Sequence, residues 1–222
     1  MPSPTSFVAV VGAICVLAML CGCATSKSGD PDTPSSQTTE PVPSTEIRSI
    51  SPVKADGTLA DGYTSRDIPA LAALKCFTAV TGTYRCSETP EGLQFCWQAG
   101  DATAACLADP RGTEVGMVAA TFGVSTDMSP YIPAALDLTD GSHCTLGRNP
   151  MAVATGDIRY VHVYGCTGGP TEGVYTEPLP GLGNPLREVI DRTGNRWTVQ
   201  GGDDTGPTGP LEVAVAYELF GR

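Results

Sequence analysis

Four cysteines at 76, 86, 96 and 106 recur every ten residues, and Gly-containing turn sequences fall near the midpoints between them at Thr81-Gly82, Pro90-Glu91-Gly92 and Gly100-Asp101. A chain that alternates short strands with turns at this interval places its equivalent positions side by side, so a meander brings the four sulfurs into one row across a sheet. Direct neighbours in such a row lie at disulfide distance, which favours Cys76 with Cys86 and Cys96 with Cys106 and leaves Cys144 with Cys166 as a third pair. Six cysteines allow 15 pairings. Strand twist or a bulge that turned one cysteine to the other face would change the partners. Zinc is the rival use of the thiols, but no C-x2-C or H-x3-H spacing is present, and the two histidines, His143 and His162, lie far apart. Neither a metal nor a cofactor is expected.

The remaining three cysteines, Cys15, Cys21 and Cys23, sit at the N-terminus. Phe7 to Leu20 is almost wholly apolar, ends in Leu20-Cys21-Gly22-Cys23, and turns polar at Thr25-Ser26-Lys27. A short apolar run closed by small residues has the form of an export signal. Leu at -3, Gly at -1 and Cys at +1 resemble the lipobox of bacterial lipoproteins. The resemblance implies cleavage before Cys23, diacylation of its thiol and retention on the extracytoplasmic face of the cell membrane. Two positions depart from the pattern: Met1 to Ser6 contains no Lys or Arg, and -2 is Cys21. An uncleaved membrane span and an ordinary secretory signal are the alternatives. Two or three acyl chains would hold the protein stably, where one would not.

Three segments follow: a signal at 1–22, the lipidated cysteine with a Ser/Thr/Pro-rich disordered linker at 23–55, and an extracytoplasmic β domain at 56–222. The linker composition, as in Asp30-Pro-Asp-Thr-Pro-Ser-Ser-Gln-Thr-Thr, holds too little apolar surface to offset the entropy of ordering. Such tracts are also acceptors of O-glycosylation. The chain carries a formal net charge of -11, with few lysines, which argues against nucleic acid as a partner because an acidic surface repels phosphate.

Within the domain, strand-like runs are expected at 75–80, 83–87, 94–98, 104–107, 114–122, 143–146, 160–164, 197–200 and 211–220. The last alternates Leu211, Val213, Val215, Tyr217 and Leu219 with smaller or charged residues. Short helices are expected at Ser65 to Leu74 and from Asn184-Pro185 onward. The fold class is mainly β: a small disulfide-bonded antiparallel sandwich or barrel with one or two short helices. The second half of the domain also resembles uncharacterised exported domains of actinobacteria, including mycobacteria. The residues that carry the likeness are Asp140-Gly141 before Cys144, Tyr164 before Cys166, and Asp191-Arg192 before Trp197-Thr198-Val199. That resemblance implies export and a β fold, and no activity.

Candidate chemistry is sparse. Asp204-Thr205-Gly206 matches the aspartic-protease tripeptide, but its Gly- and Pro-rich flanks are turn chemistry. His143 or His162 would need a serine and a carboxylate, and no G-x-S-x-G elbow exists. Asp137, Asp140, Asp203 and Asp204 would serve calcium only outside any EF-hand spacing. Phe95, Trp97, Tyr131, Tyr160, Tyr164 and Trp197 line either a ligand groove or a core. Arg148, Arg159, Arg187, Arg192 and Arg196 are read as a solvated face paired locally with Glu188 and Asp191. The function expected is a membrane-anchored envelope lipoprotein with a non-enzymatic domain that binds an unknown protein or small molecule. A surface-exposed hydrolase, with no catalytic residue assigned, is the alternative.

Overall fold

The computed structural model describes residues 43–69, 73–80, 83–87, 92–124, 132–155, 158–177 and 189–219. Cys23, the signal and most of the linker lie outside them. The strands form two sheets, each closing on itself.

The first sheet contains β2 (Thr64–Asp67), β3 (Leu74–Val80), β4 (Thr83–Cys86), β5 (Phe95–Gln98), β6 (Thr103–Leu107) and β7 (Glu114–Gly123). β3 to β6 form the expected antiparallel meander, and β7 closes it by pairing with β6 on one edge and, in parallel, with β3 on the other. β2 pairs in parallel with the first part of β7, ahead of β3. The register sets Cys76 opposite Cys86 and Cys96 opposite Cys106, and both pairs are bonded.

The second sheet contains β1 (Glu46–Ile50), β8 (Ala135–Leu138), β9 (His143–Thr155), β10 (Ile158–Thr167), β11 (Gly173–Thr176), β12 (Ile190–Asp191), β13 (Thr198–Asp203) and β14 (Gly206–Leu219). It runs β14-β8-β9-β10-β11-β13 and returns to β14. Cys144 faces Cys166 across β9 and β10, giving the third bonded pair. The register between these strands jumps from His162 opposite Met151 to Tyr164 opposite Leu146, leaving the surplus residues on β9, where Pro150 has no N–H for the ladder. The β13–β14 hairpin demands glycine at 202, because a Cβ there would run into the backbone of Gly206.

Strand alternation sorts the side chains among three cores. Cys76, Cys96 and Cys106 fill the first barrel with Ile68, Leu74, Leu93, Ala104, Val118 and Ala120. Leu136, Leu138, Val163, Tyr164, Val174, Val199 and Val213 fill the second. The opposite faces of β5, β6 and β7 turn Phe95, Trp97, Ala105, Leu107 and Val115 onto Ala134, Ala135, Tyr217 and Ile50, which seals the two sheets together.

Two expectations are corrected. The stretch from Ser65 to Leu74 is not a helix: Ser65 to Asp67 belong to β2 and Leu74 opens β3, and no α-helix occurs among the described residues. The polar sequence Thr64-Ser-Arg-Asp has no apolar alternation to mark it as a strand, and its backbone is satisfied by a distant partner, β7. The candidate helix at Asn184 lies outside the described residues. The folded body also begins before residue 56. β1 pairs in parallel with the end of β14, Ile50 and Val53 are buried, and Thr45 bridges the point where β13 gives way to β1 on the same edge of β14. Its hydroxyl donates to the Val213 carbonyl at 2.7 Å and accepts from the Trp197 amide at 2.7 Å.

Candidate functional site

The densest polar cluster lies where the two barrels meet, and Arg111 and Asp137 form its centre. Arg111 follows β6 in the turn Asp109-Pro110-Arg111-Gly112, and its five guanidinium N–H groups all find acceptors. Nε donates to Asp137 Oδ1 at 2.7 Å, Nη1 to Asp109 Oδ1 and Thr145 Oγ1, and Nη2 to the carbonyls of Leu136 and Cys144 at 2.7 and 3.0 Å. Its guanidinium also stacks over the Tyr217 ring, 5.0 Å from the centroid. Asp137, on β8, accepts further from the Tyr217 hydroxyl at 2.8 Å and bonds His143 Nδ1 at 2.8 Å. Arg48 of β1 donates to the Tyr217 hydroxyl at 3.2 Å.

Partial burial pushes the Asp137 carboxyl upward, but the hydrogen bonds from His143, Tyr217 and Arg111, with the Arg111 charge, outweigh it and hold the group below the ordinary carboxylate range. Asp137 is therefore ionised at neutral pH. An ionised carboxylate can only accept, so His143 Nδ1 donates in this bond. Burial raises the Tyr217 hydroxyl, and Asp137 pushes it the same way.

The Asp137–His143 pair is two-thirds of a hydrolytic triad, and the third part does not follow. No serine hydroxyl is hydrogen-bonded to His143 among the described residues. Ser142, its neighbour, is fully buried and turned away, its hydroxyl accepting from the Thr171 amide at 3.1 Å. Asp137 also already neutralises Arg111, which weakens its capacity to stabilise an imidazolium. The cluster joins the barrels: it links the turn after β6 to β8, β9 and β14.

The other sequence candidates fall apart from one another. Asp140 accepts from the Ser142 amide at 2.8 Å and from the Thr171 hydroxyl at 2.5 Å, tying two loops together, and Asp203 accepts from the Thr205 amide and hydroxyl in the β13–β14 turn. Asp204 is exposed in that turn, so Asp204-Thr205-Gly206 is hairpin geometry. Of the four aspartates considered for calcium, Asp137, Asp140 and Asp203 thus serve separate sets of hydrogen bonds, and Asp204 is exposed. Phe95 and Trp97 lie in the inter-barrel core, Tyr164 is wholly buried in the second barrel with its hydroxyl on the Pro133 carbonyl at 2.8 Å, and Trp197 is capped by Arg192. Burial raises the Tyr164 hydroxyl. Among the described residues, Tyr160 is the named aromatic that joins the shallow groove it shares with Tyr175, Glu177, Gln200 and Thr208, about 430 Å³ in volume. A second groove of about 430 Å³ lies between Lys54 to Gly57 and Tyr84, Gln98 and Asp101, with Trp97 at its floor.

His162 lies directly across from Tyr175, their ring centroids 5.1 Å apart, and its Nε2 is buried without a hydrogen-bond partner. Arg196 pairs with Glu212 at 2.8 Å, while Asp191 accepts from the Thr193 amide. The side chains of Arg148 and Arg159, and residues Tyr131, Arg187 and Glu188, lie outside the description. Sequence reasoning passed over Arg111 and named Tyr217 only as a residue of the terminal strand. The Asp-Pro-Arg-Gly turn at 109–112 was the available signal for the first, since it projects an arginine from a rigid corner.

Among the described residues, one set of three potential ligand groups brings its atoms together, the sulfurs of Cys86, Cys96 and Cys106, within 4.8 Å of one another. All three are engaged in disulfides. The class defined by these features is a disulfide-bonded, mainly β protein of two conjoined small barrels. No protein-family model, curated protein or solved structure matches the chain.

Proposed function

We propose that the protein is a cell-envelope lipoprotein, held on the extracytoplasmic face of the membrane by diacylated Cys23, whose β domain acts by binding a protein or small molecule. The observation that carries the anchor is Leu20-Cys21-Gly22-Cys23 at the end of an apolar run. Three disulfides suit an oxidising space outside the cytoplasm. Both barrel interiors are filled by the chain's own side chains, and the central Asp137 cluster spends its hydrogen bonds internally. That favours recognition on the outer surface, over the two grooves, and disfavours enclosure of an acyl chain.

Intact-mass spectrometry of membrane-extracted protein tests the anchor. The expected species lacks residues 1–22, carries acyl chains on Cys23, and gains six protons on reduction. A Cys23→Ala variant is expected in the soluble extracytoplasmic fraction, and its firm retention on the membrane at the same mature size overturns the reading. A surface hydrolase is the second reading, favoured by the Asp137–His143 pair alone. Covalent labelling of the folded protein by a serine-directed fluorophosphonate would support it, and lack of labelling counts against it.

A further inference from the structure

Cys86, Cys96 and Cys106 place their sulfurs within 4.8 Å of one another, and Cys76 is bonded to Cys86, so two disulfides lie side by side in the interior of the first barrel. The four are not equally reachable. Cys76 is 1% exposed, Cys96 and Cys106 are 0% exposed, and only Cys86 is partly open to solvent. From this arrangement we propose that the first barrel carries a thiol–disulfide exchange relay: a dithiol reductant acts at Cys86, and the buried Cys96–Cys106 bond is then opened from within by exchange with the Cys86 thiolate.

The steps balance. One thiolate of the dithiol attacks Cys86 Sγ, the bond to Cys76 breaks, and Cys76 leaves as a thiolate that takes up a proton. The second thiol of the reductant attacks its own sulfur in the mixed disulfide, releasing Cys86 as a thiolate and leaving the reductant as a disulfide. Rotation about the Cys86 side chain brings its sulfur in line with the neighbouring bond; it attacks Cys96 Sγ, and Cys106 leaves and is protonated. The net result is one oxidised dithiol, one new Cys86–Cys96 bond and two thiols, at Cys76 and Cys106. The strand register favours this transfer, since Cys96 sits opposite Tyr84, two residues from Cys86 on the adjoining strand. Attack requires approach to a sulfur, which burial denies to an external reagent at Cys96 and Cys106 and grants to an internal one.

Cys144–Cys166 supplies the internal control, because Cys166 is partly open like Cys86, yet no further sulfur belongs to its cluster among the described residues. The experiment is limited reduction of the folded protein with dithiothreitol, followed by acid quench, alkylation and peptide mapping. The expected map shows blocked thiols at Cys76 and Cys106 with a Cys86–Cys96 crosslinked peptide, while the second barrel yields thiols only at Cys144 and Cys166. In a Cys76→Ser/Cys86→Ser variant that folds, reduction of Cys96–Cys106 is expected to slow by at least about tenfold. Thiols confined to Cys76 and Cys86 with no Cys86–Cys96 link in the wild-type map overturn the relay, as does unchanged reduction of Cys96–Cys106 in the double variant. The wild-type map decides the matter even if that variant does not fold, and it does so whether or not Cys23 carries lipid.

Discussion

The two barrels solve one problem with different materials. Inside the first, two adjacent cystines pack with Ile68, Leu74, Leu93 and Val118 and with Ala104 and Ala120, and the Tyr84 and Phe122 rings meet edge to face, centroids 4.8 Å apart, where the core is only partly closed. Inside the second, a wholly buried Tyr164 and a set of branched aliphatics do the filling, and its cystine links only β9 to β10. A closed sheet of few, short strands encloses little space, so a pair of adjacent cystines is part of its packing as well as its crosslinking. A barrel with strands of 13 and 14 residues has room for a jigsaw of side chains.

The comparison is most exposed at Tyr164. Replacing it with alanine opens a cavity at the centre of the second barrel and is expected to cost about 5 kcal/mol of stability in urea or guanidinium titration. Tyr164→Phe, which strands the Pro133 carbonyl but keeps the ring, should cost about 1 to 2 kcal/mol. Next come the cystines. Loop length alone would make Cys144–Cys166, spanning 22 residues, more stabilising than Cys96–Cys106, spanning 10. If sulfur is core material in the first barrel, the order reverses: paired alanine replacement of Cys96 and Cys106 is expected to cost about 4 kcal/mol, and of Cys144 and Cys166 about 3 kcal/mol. A ranking that followed loop length would break the contrast drawn here.

The smallest effect belongs to the joint between the barrels. The folded carboxyl of Asp137 lies below its ordinary value, so the stability it contributes is present above about pH 4 and is lost as pH falls through the folded value. Asp137→Asn is expected to be less stable at neutral pH and to show a shallower loss on acidification, read as the urea midpoint between about pH 2 and 7. Asp140, whose carboxyl the Thr171 and Ser142 bonds also hold low against the opposing push of burial, keeps some of the acid dependence in that variant. An unchanged acid profile would mean that the joint contributes nothing beyond its apolar contacts.

How far these features could be read beforehand follows from what each leaves in the chain. The ten-residue spacing of cysteines is a local period, and the meander with its pairs Cys76–Cys86 and Cys96–Cys106 follows from it, while Cys144–Cys166 was reached as the pair left over. β14 announces itself by strict alternation. β1 and β2 leave no such trace: Glu46-Ile-Arg-Ser-Ile and Thr64-Ser-Arg-Asp are mostly exposed edge strands that pair in parallel with partners far along the chain. Parallel pairing is non-local, so composition near those residues reads as linker in one case and as helix in the other. The Arg111–Asp137–Tyr217 cluster was half legible. Asp137 was named in the sequence only among aspartates weighed for calcium outside any EF-hand spacing, and no short-range signal ties residue 111 to residues 137 and 217.

The placement of β1 bears on how the domain withstands being pulled. Because Glu46 to Ile50 run alongside Val215 to Leu219 in the same direction, tension between the chain before β1 and the end of β14 acts lengthwise along the ladder. All five paired positions then share the load together and must slide at once, as opposed to peeling open one by one. If the proposed anchor holds the chain ahead of β1, a pull on the end of β14 meets that shear geometry.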